Sequence, residues 1–323
     1  MTIEQKYGGA INILPKIFDY GMFGVDLFFV ISGFIMVYVS HGKFQNFYEG
    51  LLFIYHRFTR IYPAYWFYTI IVLVIYLIKP TLVNSSQGNQ VDILASFLLY
   101  PSHVLPMVMV GWTLIHEVYF YLVFTLFLWF VPEKHIIKIL ILWGVLIIIF
   151  HSILNINSSF LNIIVHPLTL EFIFGAVLGK LFLNNIKLQF KTSLLLFLGL
   201  FSLLVSLYVF SINNYEEPQG WMRVLIFGTT ALILVAISIY LEKNNKQYPK
   251  FLIKIGDASY SIYLSHILTL SAIGHLWKFF SSDTILDNII MLPILLACTV
   301  FVGLLSYFYI EKPLLRMSRR LIT

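Results

Sequence analysis

Along this chain apolar residues neither alternate with polar ones nor recur as a single narrow stripe. They arrive in long, nearly unbroken runs, at about residues 21–40, 61–79, 111–131, 135–153, 166–183, 191–211, 221–241, 259–280 and 286–310. Most have the roughly 18–25 residues that a helix needs to cross the hydrocarbon core of a bilayer. A membrane β-barrel would show alternating segments of about ten residues instead. The pattern predicts an all-α, polytopic membrane helix bundle of about nine transmembrane helices. Pro167 and the polar stretch Asn155–Ser159 blur the edges of the fourth and fifth runs. Pro63 is expected within the first turn or so of the second helix, where a missing N–H costs little, and Pro313 is expected to end the last one. The connections 41–56, 80–106 and 242–257 are too short to fold alone, and no internal repeat is evident. The chain therefore divides into an extracytoplasmic segment 1–20, a transmembrane domain 21–315 and a basic tail 316–323.

Composition strengthens this picture. Hydrophobic residues make up 59% of the chain and charged residues 11%, with a mean hydropathy of +0.87, whereas a soluble domain carries about 25% charge. Sixteen of the 21 lysines and arginines fall in or beside the connections that follow helices 1, 3, 5, 7 and 9. The positive-inside rule places those connections, and the C-terminus, in the cytoplasm. The net charge of +6 is thus mostly topology, and nucleic acid is not an expected partner. Residues 1–20 then lie outside, yet they lack the basic and apolar regions of a signal peptide. A further helix upstream would resolve this and bring the total to ten. The lone Cys298 excludes an internal disulfide and a cysteine metal site. No His/Asp/Glu cluster has ligand spacing, so no metal is expected.

Ionisable residues inside apolar runs are costly and mark candidate sites. Asp26 sits in GVDLFFVISGF with Ser32 and Gly33, and fits a helix-capping or polar-network role. Arg57 and Arg60, in RFTRIYP, share a helix face. They fit either a positive-inside anchor or a binding site for a phosphorylated cytoplasmic ligand, because the planar guanidinium matches phosphate. In GWTLIHEVYFY, Glu117 and Tyr121 share a face, Trp112 suits the interface, and His116 points about 100° away. In GDASYSIYLSH, Tyr260, Tyr263 and His266 form a stripe that either binds a polar group or knits helices together. Glu311, before Lys312 and Pro313, is placed to pair with an arginine. Glu216 and Glu217 fit a solvated loop.

In order, the blocks GVDLFFVISGF, RFTRIYP, WTLIHE with Tyr119 and Tyr121, SYSIYLSH and Glu311-Lys312-Pro313 resemble the acyltransferase 3 family of integral membrane acyltransferases. The resemblance covers about residues 20–315 and looks most like enzymes that acylate bacterial surface polysaccharides. It implies acyl-CoA, commonly acetyl-CoA, as donor on the cytoplasmic side of the plasma membrane. The acceptor would be a sugar hydroxyl of a polysaccharide or lipid-linked precursor. Arg57 and Arg60 would hold the donor's phosphates, and Glu117, Tyr121 and His266 would belong to the catalytic centre. Asp26, Ser32, Trp112, Tyr260, Tyr263 and Glu311 would form its polar framework. Family members carry a general-base histidine on a first helix that this sequence does not show, and His41 and His56 stand in the wrong places to replace it. A truncated, inactive member is therefore one alternative, and a transporter or flippase for polar lipid-linked sugars is another. Oligomeric state is not indicated.

Overall fold

The computed structural model describes residues 20–154, 158–184, 192–213, 218–244, 248–281 and 285–320; the segment 1–19, Glu216 and Glu217 lie outside them. Every regular element among the described residues is helical. In chain order they are α1 (Phe23–Val39), α2 (Phe47–Ile78), the short α3 (Ile93–Leu98), α4 (Gly111–Phe130), α5 (Ile136–Ile153), the short α6 (Ser159–Ile164), α7 (Thr169–Leu183), α8 (Thr192–Ile212) and α9 (Gly220–Arg223). A wider π-type turn, Val224–Gly228, carries α9 into α10 (Thr229–Lys243). There follow α11 (Lys250–Asp257), α12 (Ser259–Trp277), α13 (Ile285–Ser306), a second π-type turn at Tyr307–Glu311, and α14 (Lys312–Arg319). Eight stretches of the described residues are long and apolar enough to cross a membrane. The ninth expected run is α12, which has spanning length, 19 residues, but is diluted by Ser259, Ser261, Ser265, His266, Thr269 and Ser271.

Two expectations are corrected. The second helix does not begin near Pro63: α2 has 32 residues and holds Pro63 in its interior. Residues 47–60 contain no helix breaker other than Gly50, so the helix runs on towards its N-terminus past both arginines. At about 1.5 Å per residue it is longer than the hydrocarbon core is thick. Nor does Pro313 stop the chain's last helix. It occupies the opening turn of α14, where a proline costs no hydrogen bond, and the widened turn just before it accommodates the ring.

The described chain forms two compact units, one from residues 58–114 and 248–320, the other from 20–57 and 115–244. In the first, α12 packs along α13, close enough that a Cβ on Gly303 would stand 2.7 Å from the Cα of Ile262. The 80–110 connection is ordered against α2. The last carbonyls of a helix lack full intrahelical bonding, and side chains of α2 reach those of α3. Tyr65 donates to that of Ser96 at 2.8 Å, Trp66 to Phe97 at 2.9 Å and Tyr62 to Leu98 at 3.0 Å.

In the second unit, α1 and α7 pack backbone to backbone. A Cβ on Gly33 would lie 1.9 Å from the carbonyl oxygen of Phe172, and one on Gly175 would lie 1.8 Å from that of Val30. Small residues permit such an approach between helices in lipid. Beside the crossing the Phe29 ring packs tilted against Phe172, which in turn stacks on Phe120, with ring centroids 4.5 Å apart at each step. At one end of this unit Glu133 accepts from Lys180 Nζ at 2.5 Å, from His41 Nδ1 at 2.5 Å and from the Gly42 N–H at 2.9 Å. Ends that sequence topology assigns to one side of the membrane are thereby joined. Gly175→Ala is expected to destabilise the protein by about 3 kcal/mol, the upper range for overpacking. Gly24→Ala, whose Cβ meets nothing within 4 Å, should leave the melting temperature in detergent within a degree or two. Equal melting temperatures for the two variants would contradict the close crossing.

Candidate active site

The four-residue spacing of Glu117 and Tyr121 on α4 places both on one face, and there the Tyr121 phenol donates to the Glu117 carboxylate. Ser32, from α1, donates to Glu117 Oε1 at 3.1 Å. All three are buried. Arg57 closes the group. Its guanidinium carbon lies 5.9 Å from the centroid of the Tyr121 ring and 5.4 Å from that of Phe53, within cation–π range. Its Nε is buried and makes no hydrogen bond among the described residues. A seryl hydroxyl, a carboxylate, a phenol and a cation with donor capacity to spare thus converge from α1, α4 and α2.

A second polar group lies elsewhere on α1. Arg223 grips Asp26 as a fork, Nε to Oδ1 at 2.9 Å and Nη2 to Oδ2 at 3.0 Å. Beside this pair stands the carboxyl of Glu171, from the first turn of α7. Asp26 and Glu171 are fully enclosed and Arg223 nearly so. Gly228 makes room for Glu171, since a Cβ there would come within 3.0 Å of its Cγ and Oε1. His116 is buried against the rings of Phe29 and His166, at 6.1 and 4.6 Å between centroids. His166 occupies the break between α6 and α7, where its Nδ1 accepts from the Leu168 N–H at 3.3 Å. Both imidazoles feel the charge of Arg223.

The remaining candidates belong to the first unit. Tyr260 donates to the carbonyl of Ile61 at 2.8 Å, and Tyr263 to that of Val110 at 3.0 Å with Thr113 Oγ1 at 2.7 Å. His266 Nδ1 lies 2.6 Å from the carbonyl of Tyr263. The tyrosine–histidine stripe of α12 therefore reaches α2 and the start of α4, where Trp112 is half-buried. Ser261 donates to Glu311 at 2.5 Å, and Arg60, exposed on α2, lies within electrostatic reach of that carboxylate. Arg57 and Arg60, expected to act together, thus have different surroundings. His266 belongs to the first unit, whereas Glu117 and Tyr121 belong to the second.

Sequence reasoning passed over Arg223, Glu171 and His166. Arg223 carried a signal: it is a lone cation at the edge of an apolar run, on the side of the membrane that topology assigns to Asp26. Glu171, a lone acid in the 166–183 run, carried the same kind of signal. No group of three or more His, Cys, Asp or Glu side chains among the described residues is arranged to hold a metal. A groove of about 800 Å³ between α5, α7 and residues 221–236 is walled by apolar side chains and contains none of the expected site residues.

Breaking a buried pair leaves a charge uncompensated, which costs about 3–5 kcal/mol, whereas removing both partners costs far less. Arg223→Met alone is therefore expected to lose about that much stability, and Asp26→Asn added to it should recover at least half. Additive losses in this double-mutant cycle would contradict a coupled pair.

Comparison with known proteins accords with these blocks. The family model for acyltransferase 3, described as an acyltransferase domain, matches residues 4–308. The exopolysaccharide production protein ExoZ of Rhizobium meliloti is 30% identical over 317 residues, covering 94% of this chain and 92% of that protein. The O-acetyltransferase OatA of Staphylococcus aureus is 26% identical over 333 residues, covering 91% of this chain. The chain spans about half, 52%, of OatA's length. No solved structure matches. With the family model spanning nearly all of the transmembrane bundle that holds these buried polar groups, the chain belongs to the acyltransferase 3 family and is a multi-pass membrane acyltransferase.

Proposed function

We propose that this enzyme moves an acetyl group from acetyl-CoA to a hydroxyl of an exopolysaccharide or lipid-linked sugar precursor at the bacterial plasma membrane. The observation that carries the reading is the convergence of Ser32, Glu117, Tyr121 and Arg57. The likeness to an exopolysaccharide production protein, ExoZ, supports the class of acceptor, and the likeness to an O-acetyltransferase, OatA, supports the acetyl group. In the transfer, the acceptor hydroxyl attacks the thioester carbonyl. The new C–O bond forms as the C–S bond breaks, and the hydroxyl proton ends on the departing thiolate. Arg57 and Arg60 bind the donor's phosphates from the cytoplasmic side. Arg57 suits this because it is held against two aromatic faces while its Nε makes no hydrogen bond among the described residues. Glu117 fixes the Tyr121 phenol and the Ser32 hydroxyl beside that arginine, so that both orient the reactants. The C-terminus lies in the cytoplasm, as the basic connections require.

A charge-assisted hydrogen bond to phosphate contributes about 1.5–3 kcal/mol. Arg57→Ala and Arg60→Ala are each expected to raise the KM for acetyl-CoA about ten-fold or more in membrane vesicles supplied with labelled donor. Tyr121→Phe should instead lower kcat with little change in donor KM. If wild-type vesicles neither transfer nor hydrolyse the labelled acetyl group, the donor assignment fails and a transporter of lipid-linked sugars becomes the better account. Unchanged donor KM in both arginine variants would remove the phosphate role.

A further inference from the structure

The two short helices α11 and α14 carry the same pattern. KFLIKIGD and KPLLRMSR each place a lysine first, three apolar residues next, a basic residue fifth, an apolar residue sixth and a charged residue eighth. On a helix, positions 1, 5 and 8 make one stripe. The charged stripes are therefore Lys250, Lys254 and Asp257 on α11, and Lys312, Arg316 and Arg319 on α14. The opposite arcs are apolar. All eight residues of α11 are exposed, with Phe251 at 62% and Ile253 at 51%, and Met317 of α14 is 65% exposed. Nothing in the described chain buries the arc of α11, and on α14 Leu314 and Leu315 are half-buried while Met317 stands free. The eight residues of α11 are also too few for a helix to persist in water by propensity alone, whereas α14 continues α13 through the second π-type turn.

Both helices leave the same end of the α12–α13 pair. α11 is joined to the start of α12 by the single residue Ala258, and α14 follows the turn that contains Glu311. The Ser261–Glu311 hydrogen bond of 2.5 Å fixes those two points side by side. Lys250, Lys254, Arg316 and Arg319 form no ion pair among the described residues. Lys312 lies over the rings of Tyr307 and Phe308, at 6.0 and 5.8 Å from their centroids. Basic stripes backed by uncovered apolar arcs are the mark of helices that lie in the headgroup layer. Basic clusters beside a membrane helix are drawn to anionic lipid.

We infer that α11 and α14 together form a binding surface for anionic phospholipid, with the apolar arcs among the upper acyl chains and the four unpaired cations on the headgroup phosphates. The inference is independent of the acyl-transfer reading.

The test uses the full chain purified in detergent and offered equimolar phosphatidylglycerol and phosphatidylcholine, with bound lipid read by native mass spectrometry. Each basic residue near a charged surface adds a modest increment. Four of them should together give the wild type a preference for phosphatidylglycerol of about ten-fold or more. The variant K250Q/K254Q/R316Q/R319Q should lose most of that preference, while K250R/K254R keeps it. All substituted side chains are exposed on these short helices, and an unchanged helical circular dichroism spectrum confirms the fold. A wild type without preference, or a glutamine variant that retains it, overturns the proposal. Displacement of phosphatidylglycerol by millimolar inorganic phosphate also overturns it, because the surface would then be reading a soluble phosphate rather than a lipid.

Discussion

The second unit depends on α1 lying against α7 with no side chain between their backbones. Once Gly33 and Gly175 bring the helices to that distance, the rest of α1 has fixed directions. Asp26, Val30, Gly33 and Val37 recur at intervals of four, three and four, a stripe turned to α7. Asp26 therefore meets Glu171 and the neighbouring Arg223. Phe29, Ser32 and Met36 form the adjoining stripe, and from it Ser32 reaches Glu117 while Phe29 meets His116. One helix thus serves two polar groups on different neighbours because its stripes are rotated about the axis by about a quarter turn. In water, such a contact would be driven by removing apolar surface from solvent. In lipid, helix association rests instead on close packing and hydrogen bonds, so the glycines and the buried polar groups depend on one another.

Buried charges set the second constraint. Desolvating an ion costs several kcal/mol even after relaxation, and the chain meets this cost differently at each site. Asp26 and Arg223 satisfy one another through a planar fork. Glu117 receives hydroxyl donors from two helices. Glu311 takes a seryl hydroxyl and the distant field of Arg60. Two of these groups sit at widened turns: Arg223 directly precedes Val224–Gly228, and Glu311 ends Tyr307–Glu311. A π-type turn inserts an extra residue and rotates the helix beyond it, and such turns recur at functional positions. Here each lies where a charged side chain must be aimed into the protein rather than into lipid.

The helices themselves were legible because crossing a bilayer demands long apolar runs, and little else produces them. The predicted ends of 111–131 and 135–153 differ from α4 and α5 by a residue or so. The start of α2 was not legible, because residues 47–60 mix Phe47, Tyr48, Leu51 and Leu52 with Glu49, His56 and Arg57 and fall below the apolarity of a span while remaining good helix formers. Of the site, the i to i+4 pairing of Glu117 with Tyr121 follows from helix geometry alone. The pairing of Asp26 with Arg223 joins residues 197 positions apart, and nothing local encodes it. What a single sequence does encode is the need: a lone acid and a lone base in apolar runs, on the same side of the membrane, each requiring a counter-charge.

The two arginines of RFTRIYP show how residues that are equivalent by sequence can come to differ in their surroundings. Three positions apart on one helix, they are equivalent by sequence. Arg57 is half-buried, held over Phe53 and Tyr121, and in contact through that tyrosine with the Glu117 group. Arg60 is exposed and answers to Glu311. An exposed guanidinium attracts an anion from a distance but fixes it poorly, because its own side chain must be ordered on binding. One already held between aromatic faces has lost that freedom in advance and binds with geometric selectivity. The placement of Pro63 inside α2 rather than at its start keeps the two residues on continuous helix, so that their separation is set by helical geometry and not by a flexible entry loop.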